Sequence, residues 1–168
     1  FSISAFTTIG SKLLTGTYGG GVYICNGPGT DWVQSNIGLT NQTVIGLITK
    51  GSDIYAGTYG GGVFKSVNQG ASWTPMNTGL INQYVPCFAY LGSDIYCGTY
   101  GAGVFKSTDD GNTWTQINNG LTNTTINGLA ANGNKVIAAT QAGVFATFNN
   151  GSAWVQFNQG LSNQLITA

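Results

Sequence analysis

Short apolar runs alternate along the whole chain with breaks rich in glycine, asparagine and serine. No stretch carries the three-to-four spacing of an amphipathic helix. Within 43–83 the pattern predicts four strands. Residues 44–49 form an apolar run that 50–53 breaks. Residues 54–58 are a second strand and 59–61 a turn; 62–66 are a third strand, 68–70 another turn, and 72–76 a fourth strand. Residues 77–83 lead onward. Two prolines mark edges: Pro86 falls in the first predicted strand of the next segment, and Pro75 in the fourth strand of this one. Proline has no N–H to give a ladder, so both positions read as edge strands.

The pattern is a repeat. The string GTYGGGVFKSVNQGASWTPMNTGL at 57–80 returns as GTYGAGVFKSTDDGNTWTQINNGL at 98–121, with looser copies at 16–39 and 139–161. Trp32, Trp73, Trp114 and Trp154 follow one another at intervals of 41, 41 and 40 residues. A period of about 40 residues, all strand and turn, predicts an all-β chain: a β-propeller in which each copy is one four-stranded blade. The predicted blades are 1–42, 43–83, 84–124 and 125–164 of a single domain spanning 1–168, with the four tryptophans at equivalent places. Residues 165–168 align with 2–5, so the chain is expected to start just before a first strand and to stop inside the next copy of it. Three accounts of the ends stay open: further blades of a longer chain, self-association of two chains, or closure as four blades. Opening at Phe1 without Met or a signal pattern, the chain is expected to be processed, excised or partial.

Composition narrows the chemistry. Charged residues make up 6% of the chain, against about 25% in an ordinary soluble domain, so asparagine, glutamine, serine and threonine must carry its polarity. All bases are lysines and all acids aspartates; Arg, Glu and His are absent. The usual general base and metal ligand is therefore missing, and so is the bidentate clamp for phosphate and carboxylate. Zero net charge with no basic cluster argues against a nucleic-acid partner, and no apolar run is long enough for a membrane-spanning helix. Cys25, Cys87 and Cys97 have no metal-binding spacing and replace small residues of the other repeats, which reads as buried thiols. Cys87 and Cys97 lie on consecutive predicted strands, so a cross-strand disulfide is the other reading. Sequons begin at Asn41, Asn123 and Asn150, and they matter only in a glycosylating pathway.

The turn before each tryptophan resembles the Asp-box, or bacterial neuraminidase repeat, S-x-D-x-G-x-T-W. Ser107, Asp109, Gly111, Thr113 and Trp114 match it in full. Ser66, Asn68, Gly70 and Trp73 keep it with Asn for Asp. Asn149, Gly151 and Trp154 keep a weaker form, and the first repeat retains Gly29 and Trp32. The wider string is similar to the propellers of sialidases, xyloglucanases, sortilin-like receptors and photosystem assembly factors. In those families the box is structural and lies away from the active site. Here Asp109 is expected to accept amide bonds from its own turn, Gly111 to supply a positive φ, and Trp114 to bury the turn. The sialidase resemblance implies an arginine triad and a Tyr–Glu pair, which this chain lacks. The xyloglucanase resemblance implies two aspartates across a cleft, whereas Asp53 and Asp94 are one repeat position occurring twice.

Strand alternation sorts the turns. Tyr18, Tyr59 and Tyr100, with Gln141 in the fourth repeat, share one end of their blades with Asn41, Asn82, Asn123 and Asn163. An exposed tyrosine stacks on a sugar face and a neighbouring amide pairs with hydroxyls, so this set is the candidate ligand-binding surface. The alternatives are tyrosines wedged between blades, and contact with a protein. The expected function is a non-catalytic binding or structural scaffold, extracellular, on the cell surface or periplasmic. It needs no cofactor or metal, and its partner is a glycan or a protein surface. A multivalent lectin and a fragment of a polysaccharide-degrading hydrolase are the rival readings.

Overall fold

The computed structural model describes residues 1–28, 30–162 and 165–166. Among them are sixteen strands in four antiparallel sheets, each ordered as the chain runs. Blade 1 is β1 (Ile3–Ile9), β2 (Lys12–Thr17), β3 (Gly21–Cys25) and β4 (Val33–Gln34). Blade 2 is β5 (Val44–Lys50), β6 (Asp53–Thr58), β7 (Val63–Ser66) and β8 (Thr74–Pro75). Blade 3 is β9 (Cys87–Leu91), β10 (Asp94–Thr99), β11 (Gly103–Ser107) and β12 (Thr115–Gln116). Blade 4 is β13 (Ile126–Asn132), β14 (Lys135–Thr140), β15 (Gly143–Thr147) and β16 (Val155–Gln156).

The first three strands of blade 2 fall where the pattern put them. The fourth is shorter than 72–76: β8 pairs with β7 only through Phe64↔Pro75 and Lys65↔Thr74. Pro75 does sit on this edge strand. Pro86 does not lie within a strand; it immediately precedes β9. The reason is a bulge. In the other blades the register slips at the equivalent place, between Ile3 and Ala5, between Val44 and Gly46, and between Ile126 and Gly128. Proline occupies the residue that the ladder skips. Ile166 takes the repeat position of Val85, donating its N–H to the Thr140 carbonyl as Val85 does to Thr58. Gly29, Asn163 and the end of the expected strand at 165–168 lie outside the described residues.

The chain forms two compact units, Phe1–Asn77 with Gln83–Val85, and Thr78–Asn82 with Pro86–Ala168. In the first, Leu14 and Val22 of blade 1 pack on Val44, Ile54, Phe64 and Trp73 of blade 2. In the second, Val104 and Leu121 pack on Ile126, Val136, Phe145 and Trp154. Ion pairs brace two sheets from within: Lys65 Nζ lies 2.8 Å from Asp53, and Lys106 Nζ lies 2.6 Å from Asp94.

The disulfide reading fails on register. Cys87 pairs with Gly98, and Cys97 pairs with Phe88. Adjacent residues of a strand point to opposite faces, so the two side chains stand on opposite sides of the sheet. Both thiols are free, as is that of Cys25. Burial pushes the Cys87 thiol up to about 12 and the Cys97 thiol well above its ordinary value.

Candidate functional site

The Asp-box turns are closed hydrogen-bond systems. In blade 3, Ser107 Oγ donates to Asp109 Oδ1 at 2.8 Å and accepts from the Gly111 N–H at 2.8 Å. The Thr113 N–H and hydroxyl donate to the two carboxylate oxygens at 2.9 and 2.7 Å. These bonds, led by that from the Thr113 hydroxyl, hold the Asp109 carboxyl below its ordinary value. Asn68 reproduces the arrangement in blade 2: its Oδ1 accepts from Ser66 Oγ and the Ser72 N–H, and its Nδ2 donates to Ser72 Oγ. Asn149 accepts from Thr147 Oγ1 and the Ala153 N–H in blade 4. The residue before each box glycine is also left-handed, with φ near 57° at Gln69 and 56° at Asp110 and Asn150. Sequence reasoning assigned that conformation to the glycine alone.

Each box carries its tryptophan onto the preceding blade. Trp73 donates from Nε1 to the Ser35 carbonyl at 2.9 Å and from its backbone to Ile37 at 2.8 Å. Trp154 does the same to Ile117 and Asn119, at 2.6 and 2.8 Å. A Cβ on Gly38, Gly79 or Gly120 would collide with the carbonyl oxygen of Trp73, Trp114 or Trp154 respectively. Trp73, Trp114 and Trp154 are buried. Trp32 is not, because its repeat position has no preceding blade among the described residues.

The four asparagines of the N-x-G-L strings, which sequence reasoning passed over, are clamps. Asn36, Asn77, Asn118 and Asn158 accept through Oδ1 from the N–H of Val22, Val63, Val104 and Val144, at 2.7–2.9 Å. Their Nδ2 groups donate to Gly20, Gly61, Ala102 and Ala142. Their recurrence once per repeat was the signal that could have found them.

Tyr18, Tyr59 and Tyr100 each follow the second strand of their blade and bridge to the incoming chain at Thr43, Tyr84 and Thr125. Backbone bonds fasten the turns to the incoming chain: Gly19 and Gly21 both donate to Gln42, Gly60 and Gly62 to Gln83, and Gly101 and Gly103 to Thr124. The three tyrosine rings are half-exposed. In the first unit they form a strip. Tyr18 and Tyr59 have ring centroids 6.5 Å apart, and Tyr59 and Tyr84 lie 4.3 Å apart at 52°. Tyr84 was missed from sequence; it stands where the second and fourth repeats carry Thr43 and Thr125 and the first carries Ser2. In the second unit, Gln141 donates to the Tyr100 hydroxyl at 3.2 Å. The candidate asparagines are engaged with backbone: Asn41 Nδ2 donates to the Tyr59 carbonyl and Asn82 Nδ2 to that of Tyr100, while Asn41 and Asn123 accept from the N–H of Thr43 and Thr125. Of the three sequon asparagines, Asn150 is the exposed one.

No protein-family model matches the chain, and no curated protein does. Solved structures do. The extracellular domain of a putative hybrid two-component system of B. thetaiotaomicron superimposes with a TM-score of 0.80 at 21% identity, over 98% of this chain and 24% of that one. An ancestral GH74 enzyme gives 0.74 at 20%, over 93% and 23%. YCF48 bound to a D1 peptide gives 0.73 at 14%, over 98% and 57%. The chain thus spans about a quarter of the first two and just over half of the third. The likeness is one of fold. Four four-stranded sheets, with turns of the Asp-box kind in blades 2, 3 and 4, make this a β-propeller.

Proposed function

We propose that this chain is a non-catalytic extracellular binding scaffold whose recognition surface is the tyrosine strip Tyr18–Tyr59–Tyr84, and that its ligand is a glycan. The strip carries the reading: the Tyr59 ring has those of Tyr18 and Tyr84 as neighbours, at 6.5 and 4.3 Å between centroids, and Tyr18 and Tyr59 are half-exposed. Such rings offer flat apolar faces to the C–H faces of sugar rings, and stacking of this kind loses little side-chain entropy. The neighbouring asparagines act by fixing the tyrosine backbone rather than by reaching for ligand. Asp53 and Asp94 are tied to lysines, and Asp109 is tied into its own turn, which favours a binding role over acid–base chemistry.

The test is a glycan array followed by calorimetric titration of the best oligosaccharide. Tyr59→Ala, at the centre of the strip, should weaken binding at least about tenfold, as expected for loss of one stacking ring. An array with no ligand, or a ligand whose affinity Tyr59→Ala leaves unchanged, would overturn the proposal.

A further inference from the structure

Lys12 breaks the charge pattern of the blades. It stands where blades 2 and 3 carry Asp53 and Asp94, and Ile24 stands where they carry Lys65 and Lys106. The ion pair of those blades is replaced by one cation and one apolar side chain. Lys12 has no ion-pair partner among the described residues. Lys12 and Ile24 line a recess of about 280 Å³ with Val33 and Ile37 of blade 1 and Gln69 of the box turn of blade 2. Its floor is fixed. A Cβ on Gly70 of that turn would meet Ile24 Cδ1 at 2.6 Å, and the buried Ser35 hydroxyl donates to the Gly70 carbonyl. Strand β2 separates the recess from the tyrosine strip, for Lys12 begins it and Tyr18 follows its end. The second unit holds the same recess in its ordinary form. Lys106 pairs with Thr115 as Ile24 does with Val33, and both line a space of about 330 Å³ with Asn150 of the next box turn. There the lysine is engaged, 2.6 Å from Asp94 and 3.5 Å from the Asn150 carbonyl.

We infer that the recess between blades 1 and 2 binds a small monocarboxylate with an apolar body, its carboxylate on Lys12 and its body on Ile24, Val33 and Ile37. The site is distinct from the glycan surface proposed above. Three observations select the chemistry. Lys12 is the one cation in the lining, so it matches one negative charge; a phosphate monoester carries about two. A lysine is a point charge that needs no bidentate partner, which suits a carboxylate. The body must be hydrocarbon, because Ile24 and Val33 replace the lysine and threonine of the equivalent recess. The volume lies at the low end of the range of about 300–1,000 Å³ for ligand pockets, so the ligand is a small acid rather than a polymer. Apolar walls also exclude water from the ion pair that forms, which strengthens it relative to an open surface. Gln69 adds an amide donor to the lining.

The test is a titration of the chain followed by backbone amide NMR shifts, with two pairs of probes. Phenylacetate is set against phenylacetamide, and hexanoate against hexanamide, so that charge is the main difference within each pair. At least one carboxylate should give saturable shifts centred on Lys12, Ile24, Val33 and Gln69, and its amide should bind at least about tenfold more weakly. Lys12→Gln removes the charge at the start of a strand; it should weaken the carboxylate by a similar factor and leave the amide probe unchanged. Lys12→Asp combined with Ile24→Lys rebuilds the pair that blades 2 and 3 already carry. That double variant should lose carboxylate binding and keep the wild-type circular dichroism spectrum. Tyr59→Ala should bind the carboxylate as the wild type does, which keeps this site separable from the glycan surface. No saturable shift with either carboxylate, equal affinity for acid and amide, or Lys12→Gln binding like wild type would each overturn the inference. Shifts centred on the tyrosine strip would overturn it too. If a Lys12 variant fails to fold, the acid-to-amide comparison on the wild-type chain decides alone.

Discussion

Tyr55 and Tyr96 occupy the same repeat position, both fully buried, yet replacing each with phenylalanine should have opposite results. The Tyr55 hydroxyl is hydrogen-bonded to the Lys65 ammonium, whose nitrogen lies 5.4 Å from the ring centroid. In blade 3 the Lys106 nitrogen sits 5.8 Å from the Tyr96 centroid, and the buried Tyr96 hydroxyl has no hydrogen-bond partner among the described residues. A hydrogen bond to a charged group is worth about 1.5–3 kcal/mol. The Lys65 and Asp53 side chains keep 12% and 24% exposure, so solvent competes and Tyr55→Phe should cost about 1 kcal/mol. Tyr96→Phe removes a buried hydroxyl that gains nothing, so it should be neutral or stabilise by up to about 1 kcal/mol. Urea unfolding followed by tryptophan fluorescence gives the comparison, read as midpoint shifts at constant slope. A second readout is alkaline. Burial, and then the charge of Asp94, pushes the Tyr96 phenol from 10.0 up to about 12. The folded state therefore holds a proton that the unfolded chain gives up, and stability present below pH 10 declines as pH rises toward 12. Lys65 adds a decline of the same sign, because its bonds to Asp53 and Tyr55 outweigh its burial and raise it above 10.5. Tyr96→Phe should flatten the alkaline decline and leave the Lys65 part. A loss above about 1 kcal/mol in Tyr96→Phe, or equal losses in both variants, would refute the assignment of an orphaned hydroxyl.

Two further outcomes follow from the turns and the thiols. Asp109, held below 3.8 by bonds to Thr113 and Ser107, contributes stability that is present above its ordinary pKa and lost as pH falls through its lowered one. Asp109→Asn should therefore fold with the geometry already seen at Asn68 and show a shallower acid limb in a pH series of thermal melts; an identical limb would sink the argument. Cys87 and Cys97, on opposite faces of their sheet and hard to ionise, should react with a disulfide reagent only after denaturation, and oxidants should leave the chain's mass free of a two-hydrogen loss. Rapid labelling of Cys97 in the native chain would contradict its burial.

The strand order and most strand bounds were legible because each blade writes its turns in glycine and asparagine at fixed places. What sequence could not give was register and depth. Pro86 read as a strand residue because a pattern of apolar positions does not mark a skipped residue, and the bulge became visible only from the pairing of the sheet. The Cys87–Cys97 question turned on a one-residue offset that spacing alone does not fix. Trp32 looked like its three counterparts because a repeat string records what a side chain is built to touch, not whether the mate is present. Tyr84 was hidden for the converse reason: it is a departure from the repeat, and aligned copies draw attention to what recurs.

That distinction between recurrence and departure also separates scaffold from surface. The chain has few charges, and neutral polar groups satisfy its backbone locally. Thr17, Thr58, Thr99 and Thr140 each donate to the glycine that closes their turn, at 2.7–2.9 Å, and the four N-x-G-L asparagines clamp the strand beyond it. These groups are the same in all four blades because every blade needs them. The tyrosine position is not the same. In blade 4 it is Gln141, and the turn there still closes through Thr140, Ala142 and Gly143. That turn is one residue shorter than its counterparts, Thr140 to Gly143 against Thr58 to Gly62, and it closes without an aromatic residue. The half-exposed rings of Tyr18 and Tyr59, beside Tyr84, are the surface on which the proposed glycan site rests.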